Sequence, residues 1–120
     1  MAEEMEQACK RVGEDITRVF ELLGKRWTGL ILAVLMQRAV HFAELRRAIP
    51  GISERMLSDR LTELAAAGLV VREVADGPPL RVAYRLTGAG QALDPSLKEL
   101  ARWAGTHLPE GGNCPKQFRE

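Results

Sequence analysis

The sequence predicts a mostly helical α+β domain carrying one small β-hairpin. Three observations predict it. Apolar residues recur at a helical period through four stretches before Gly68, and the period falls to two in a pair of short segments on either side of Asp76-Gly77-Pro78-Pro79. A last helical stripe then runs from Leu93 to His107.

Each element has its own local reason. Ile16, Val19, Phe20 and Leu23 stand at i, i+3, i+4 and i+7, an amphipathic helix that Gly24 ends. Thr28 is the expected cap of the next helix, which has a broad apolar face at Ile31, Leu32, Leu35 and Met36. His41 to Ile49 is a shorter helix with His41 at its start, stopped by Pro50 because proline disfavours helical geometry in the residue before it. Ser53 is a natural N-cap for the fourth helix, and Glu54 suits its first turn. Leu57, Leu61 and Leu64 form the apolar stripe of that helix, and Gly68 is its stop. Leu69–Val74 and Val82–Leu86 are strand-like around the turn. Thr87 caps the last helix, which Asp94-Pro95 interrupts near its start; Gly88-Ala89-Gly90 reads as a turn.

The chain is one domain. Its 120 residues are 46% hydrophobic, enough for one core and too apolar for a disordered chain. The expected layout is an acidic N-terminal segment (1–13), a folded domain (14–107) and a flexible tail (108–120) rich in glycine and proline. The longest apolar run, Leu30 to Met36, is far short of the roughly 20 residues that span a bilayer. Met1 to Gln7 carries three glutamates and no basic residue, the wrong start for a secretory leader. An intracellular, cytoplasmic protein is expected. Cys9 and Cys114 form no disulfide framework, and no Cys/His cluster at ligand spacing joins His41 or His107, so neither metal nor cofactor is expected. No catalytic triad or phosphate loop can be assigned either. Gly88-Ala89-Gly90 follows a strand of a hairpin and does not open a βαβ unit.

The net charge of +1 hides its layout. Between Met36 and Leu86 stand eight arginines, no lysine and six acids. That excess matters only if the fold gathers the arginines on one face; otherwise they are a mixed solvated surface.

Three helices, a tight turn, a helix, a hairpin and a helix is the order of a winged helix-turn-helix with extra N- and C-terminal helices. In such a fold the second helix of the pair enters the major groove of double-stranded DNA while the first crosses the backbone. That second helix is here about 53–67. With its leucines turned inward, Arg55, Ser58, Asp59 and Thr62 are left outside, beside Ser53 at the N-terminus. These are short polar groups and an arginine able to read base edges. Arg46 and Arg47 on the preceding helix suit phosphate. Pro79 and Arg81, in a wing at about 75–81, suit backbone or minor groove. Arg60 lies between the exposed face and the leucine stripe, so it reads equally as a DNA contact or as a structural partner of Glu63.

Four stretches carry a resemblance: LLGKRWTGLIL (22–32), HFAELRRAIPGISERMLSDRLTEL (41–64), GLVVREV (68–74) and PLRVAYRLTGAGQAL (79–93). As a set they resemble the HxlR family of bacterial winged-helix transcription regulators over about residues 14–107. The resemblance implies a homodimer on an inverted-repeat operator, its interface built by the first and last helices. Ile16, Val19, Phe20, Leu23, Leu97, Leu100 and Trp103 are the apolar residues placed to form it, because those helices exceed what a compact core needs. For Trp103 an intrachain contact is the alternative; Trp27 is assigned to the core.

Several members of the family sense oxidants or electrophiles through a cysteine about where Glu14 stands here. The nearest thiol in this chain is Cys9, five residues earlier. Lys10 and Arg11 would lower its pKa, whereas Glu3, Glu4 and Glu6 would oppose them, so Cys9 is either a redox sensor or an incidental thiol. The competing readings are a winged-helix protein-interaction module without specific DNA binding and, more remotely, a small thiol enzyme. An oxidant or small-molecule effector is an open expectation.

Overall fold

The computed structural model describes residues 2–110, with Ala8 and Cys9 described by their backbone alone. The elements run α1 (Ala2–Val12), α2 (Glu14–Leu23), α3 (Thr28–Gln37), β1 (Val40–His41), α4 (Phe42–Ala48), α5 (Glu54–Ala66), β2 (Val70–Ala75), β3 (Arg81–Leu86), α6 (Gly88–Gln91) and α7 (Asp94–His107). This is the helix-rich α+β winged helix-turn-helix that the periodicity predicts. No helix among the described residues is long and apolar enough to cross a membrane.

One core unites the middle of the chain. Ile31, Leu32 and Leu35 of α3 meet Leu45 of α4, Ile49 and Ile52 of the turn, and Leu57, Leu61 and Leu64 of α5. Val70, Tyr84 and Leu86 of the hairpin close it. The apolar positions of α5 recur every three or four residues, so one face is buried and the other is left to solvent.

Two elements are added to the expected set, α1 and β1, and two local expectations, for Thr28 and for Gly88-Ala89-Gly90, are corrected. The acidic segment before Glu14 folds as α1: Glu3 and Glu4 lie in its first turn and Lys10 and Arg11 in its last, as the helix dipole favours. Thr28 does not cap α3. It is the buried first residue of that helix, and Trp27, in the left-handed region at φ +80°, takes the cap position. The hairpin gains a third strand: β1 pairs antiparallel with β3, Val40 opposite Tyr84 and His41 opposite Ala83, giving the order β1-β3-β2. Gly88-Ala89-Gly90 belongs to the short helix α6, whose cap Thr87 accepts a hydrogen bond from Gly90 N–H at 3.1 Å. The chain then restarts as α7 at Asp94-Pro95, where the interruption is predicted.

The outer helices differ from the rest. Neither α2 nor α7 contains a buried residue, although both are amphipathic. Leu23, Leu93 and Leu97 are half-buried against the core, whereas Ile16, Phe20, Leu100 and Trp103 stay exposed, Phe20 by 61% and Trp103 by 52%. The two helices flank an open apolar groove of about 680 Å³. Trp103 is therefore not an intrachain core residue; its ring neighbour is His107, centroids 5.9 Å apart. Trp27 is half-buried against the core.

Candidate nucleic-acid interface

The helix-turn-helix is fixed by its turn. Ile49 N–H donates to the Arg46 carbonyl at 3.3 Å and Ile52 N–H to the Ile49 carbonyl at 3.4 Å. Between them Gly51 has φ +91°, a conformation that side chains rarely adopt. Buried Ile49 and Ile52 hold the turn to the core. Ser53 then caps α5, its Oγ accepting from Met56 N–H at 3.0 Å. His41 starts α4, its N–H donating to the Glu44 carboxylate at 3.2 Å. That bond, together with the Arg38 guanidinium, holds the Glu44 carboxyl below the usual carboxylate range.

With Leu57, Leu61 and Leu64 buried, Arg55, Ser58, Asp59 and Thr62 are all exposed. At 3.6 residues per turn these four fall within about 100° of arc, a single polar face. Thr62 Oγ1 donates to the Ser58 carbonyl at 2.9 Å, so its hydroxyl is partly engaged within the helix.

The eight arginines separate into two groups. Arg38 pairs with Glu44 at 3.2 Å, Arg46 with Glu54 at 2.8 Å, Arg60 with Glu63 at 3.1 Å and Arg85 with Glu73 at 3.1 Å. Arg47, Arg55, Arg72 and Arg81 are exposed and have no ion pair among the described residues. Arg47 on α4 and Arg81 at the start of β3 line the same open cleft of about 580 Å³, with Phe42, Leu80 and Val82 as its apolar wall. The fold thus brings the wing beside α4, which sequence spacing alone could not show. Pro79 lies exposed in the wing turn.

Arg60 has a different environment. Its side chain is only 17% exposed; Nε donates to the Arg26 carbonyl at 3.0 Å, and Nη1 to Glu63. Of the two readings of Arg60, the contacts are those of the structural one. Lys25 Nζ donates to the other Glu63 oxygen at 3.0 Å, and this bond is the chief reason the Glu63 carboxyl sits below its ordinary range. The partnership of Lys25 and Arg26 with α5 is not legible in the sequence: both lie within the Gly-Lys-Arg-Trp stretch, but nothing local signals what they touch.

Among the described residues no three of His, Cys, Asp and Glu are grouped as metal ligands. Cys9 falls on α1, but its side chain lies outside the described residues, as does Cys114.

The comparisons agree with this geometry. The family model for the HxlR-like helix-turn-helix matches residues 22–111. The transcriptional regulator YodB of Bacillus subtilis is 46% identical over 92 residues, covering 77% of this chain and 82% of that protein. The solved structure of reduced YodB superposes with a TM-score of 0.74 at 41% identity, covering 81% of this chain and 95% of that one. The redox regulator HypR in its reduced form superposes at 0.73 and 33% identity, covering 77% and 91%. The chain belongs to the HxlR-like helix-turn-helix family and is a transcriptional regulator, not an enzyme.

Proposed function

We propose that the protein binds a specific inverted-repeat operator in double-stranded DNA as a homodimer. In this reading α5 lies in the major groove and the wing, 75–81, lies on the backbone or the minor groove. The observation that carries it is the polar face of Arg55, Ser58, Asp59 and Thr62, exposed on a helix whose opposite face is locked into the core. Arg47 and Arg81, which share a cleft between α4 and the wing and have no ion pair among the described residues, supply phosphate contacts. A second copy covers the apolar faces of α2 and α7, because Phe20, Leu100 and Trp103 are too exposed for a lone chain and lie on helices with no buried residue of their own. A two-fold dimer then sets two α5 helices about 34 Å apart, one DNA turn. The regulator works in the cytoplasm, on the nucleoid.

The test is a gel shift on DNA upstream of the protein's own gene and on genome-selected fragments, across a salt series. The solution mass is measured alongside. Tight binding that outcompetes random DNA and weakens with salt, by a species of twice the chain mass, is the expected result. No preference for any fragment would favour the protein-interaction reading.

An oxidant effector is the finer reading that the relatives support, since YodB has been solved quinone-bound and diamide-treated. Diamide added to the same gel shift tests it in this chain. Release of DNA that Cys9→Ser abolishes assigns Cys9 the sensing role; retention assigns it none.

A further inference from the structure

Arg60 and Glu63 stand on the flank of α5, between its polar face and its buried stripe. Their partners come from one place. Arg60 donates to the carbonyl of Arg26 at 3.0 Å, and Glu63 accepts from Lys25 at 3.0 Å while also holding Arg60 at 3.1 Å. Lys25 and Arg26 belong to the link Gly24–Trp27, which joins α2 to α3.

The link is itself constrained. The Arg26 guanidinium lies 4.5 Å from the centroid of the Trp27 ring, and Trp27 is held at φ +80°. The far edge of the Trp27 indole lies 3.6 Å from where a Cβ on Gly51 would sit, so the ring rests against the turn that precedes α5. One four-residue link therefore touches both the flank of α5 and the turn that sets its angle. The same link is the direct continuation of α2, whose outer face is apolar and uncovered.

We infer that Gly24–Trp27 is a coupling element, and that Arg60 and Glu63 are positioning residues that lock α5 to the end of α2. Where the partner copy seats α2 then sets the angle at which α5 is presented. This rests on the reading of α5 as the recognition helix. Neither residue needs to touch DNA. The Arg60 fork makes two directional bonds that a lysine ammonium cannot reproduce together.

Charge arithmetic makes the inference testable. Glu63→Gln removes one negative charge, which by itself strengthens binding to any DNA. Loss of the lock weakens binding to the operator only. Arg60→Lys and the double variant Lys25→Gln/Glu63→Gln leave the net charge unchanged, so for them the charge effect vanishes.

The experiment measures affinity for operator and for random DNA, with thermal melts to establish that each full-length variant is folded at the assay temperature. All three variants should lose operator preference by about fivefold, in the range typical of residues that modulate coupling between sites. Affinity for random DNA should rise for Glu63→Gln and hold for the other two. If operator and random affinities move together in all three, the coupling is overturned and the recognition-helix reading survives. If the wild-type protein itself shows no operator preference, that reading falls and takes the coupling with it.

Discussion

Arg46 Nη1 lies 2.8 Å from Glu54 Oε1, so an exposed ion pair spans the turn between α4 and α5. The pair neutralises a cation that the interface could otherwise use. Glu54→Gln should release it. Affinity for random DNA should rise, and the dependence of log K on log salt should steepen by about one. Stability should fall by about 1 kcal/mol or less, since exposed pairs and first-turn acids contribute little. An unchanged salt slope would show that Arg46 does not reach phosphate.

The arginines without an ion pair among the described residues should separate by role. Arg55→Ala, on the polar face of α5, should cost about 1–3 kcal/mol of operator affinity and relax the preference at one base pair. Arg47→Ala and Arg81→Ala should instead weaken operator and random DNA alike, each lowering the salt slope by about one. A base-substitution scan of the operator with each variant distinguishes the two patterns.

Gly90 is held by a close backbone approach. A Cβ there would stand 2.3 Å from the carbonyl oxygen of Leu69, which already accepts from Thr87 N–H at 2.9 Å. Gly90→Ala should therefore destabilise by about 1–3 kcal/mol, read as a lower Tm. Gly105 in α7 has nothing within 4 Å of its added Cβ, and Gly105→Ala should stabilise by about 0.5–1 kcal/mol. Melts of the two variants that shift in the same direction would refute this distinction.

Acid should loosen the fold through two carboxylates. Hydrogen bonds from Lys25 to Glu63 and from the His41 N–H to Glu44 lower both pKa values from the ordinary 4.5. The unfolded chain then takes up protons at a higher pH than the folded one. Their stabilisation is complete above about 4.5 and is lost as pH falls through the lowered values. Tm should drop as pH falls below about 4.5, and Glu44→Gln or Glu63→Gln should flatten that slope. A slope unaltered by either variant would show that neither carboxylate is linked to folding.

Much of the candidate interface was legible in the chain. Ser53 as a cap, the leucine stripe of α5 and the polar face opposite it follow from spacing and side-chain chemistry alone, and the structure has all three in place. The strand β1 was not legible, because two residues carry no periodicity and exist as a strand only where β3 offers hydrogen bonds. Arg60 was ambiguous for a similar reason. Its position on the wheel places it at a boundary, and the Arg26 carbonyl to which it donates stands 34 residues away.

The sequence by itself determined the helical core, the turn, the cap and the hairpin, since each depends on neighbours within about one turn or one strand length. Only the tertiary structure decided which of eight arginines lack an ion pair among the described residues, that Arg47 and Arg81 share a cleft, and that the apolar faces of α2 and α7 lie open side by side. The physical reason is range. Periodicity and capping are short-range properties of a single segment, whereas the pairing of a charge or the covering of an apolar face depends on which distant segment packs beside it.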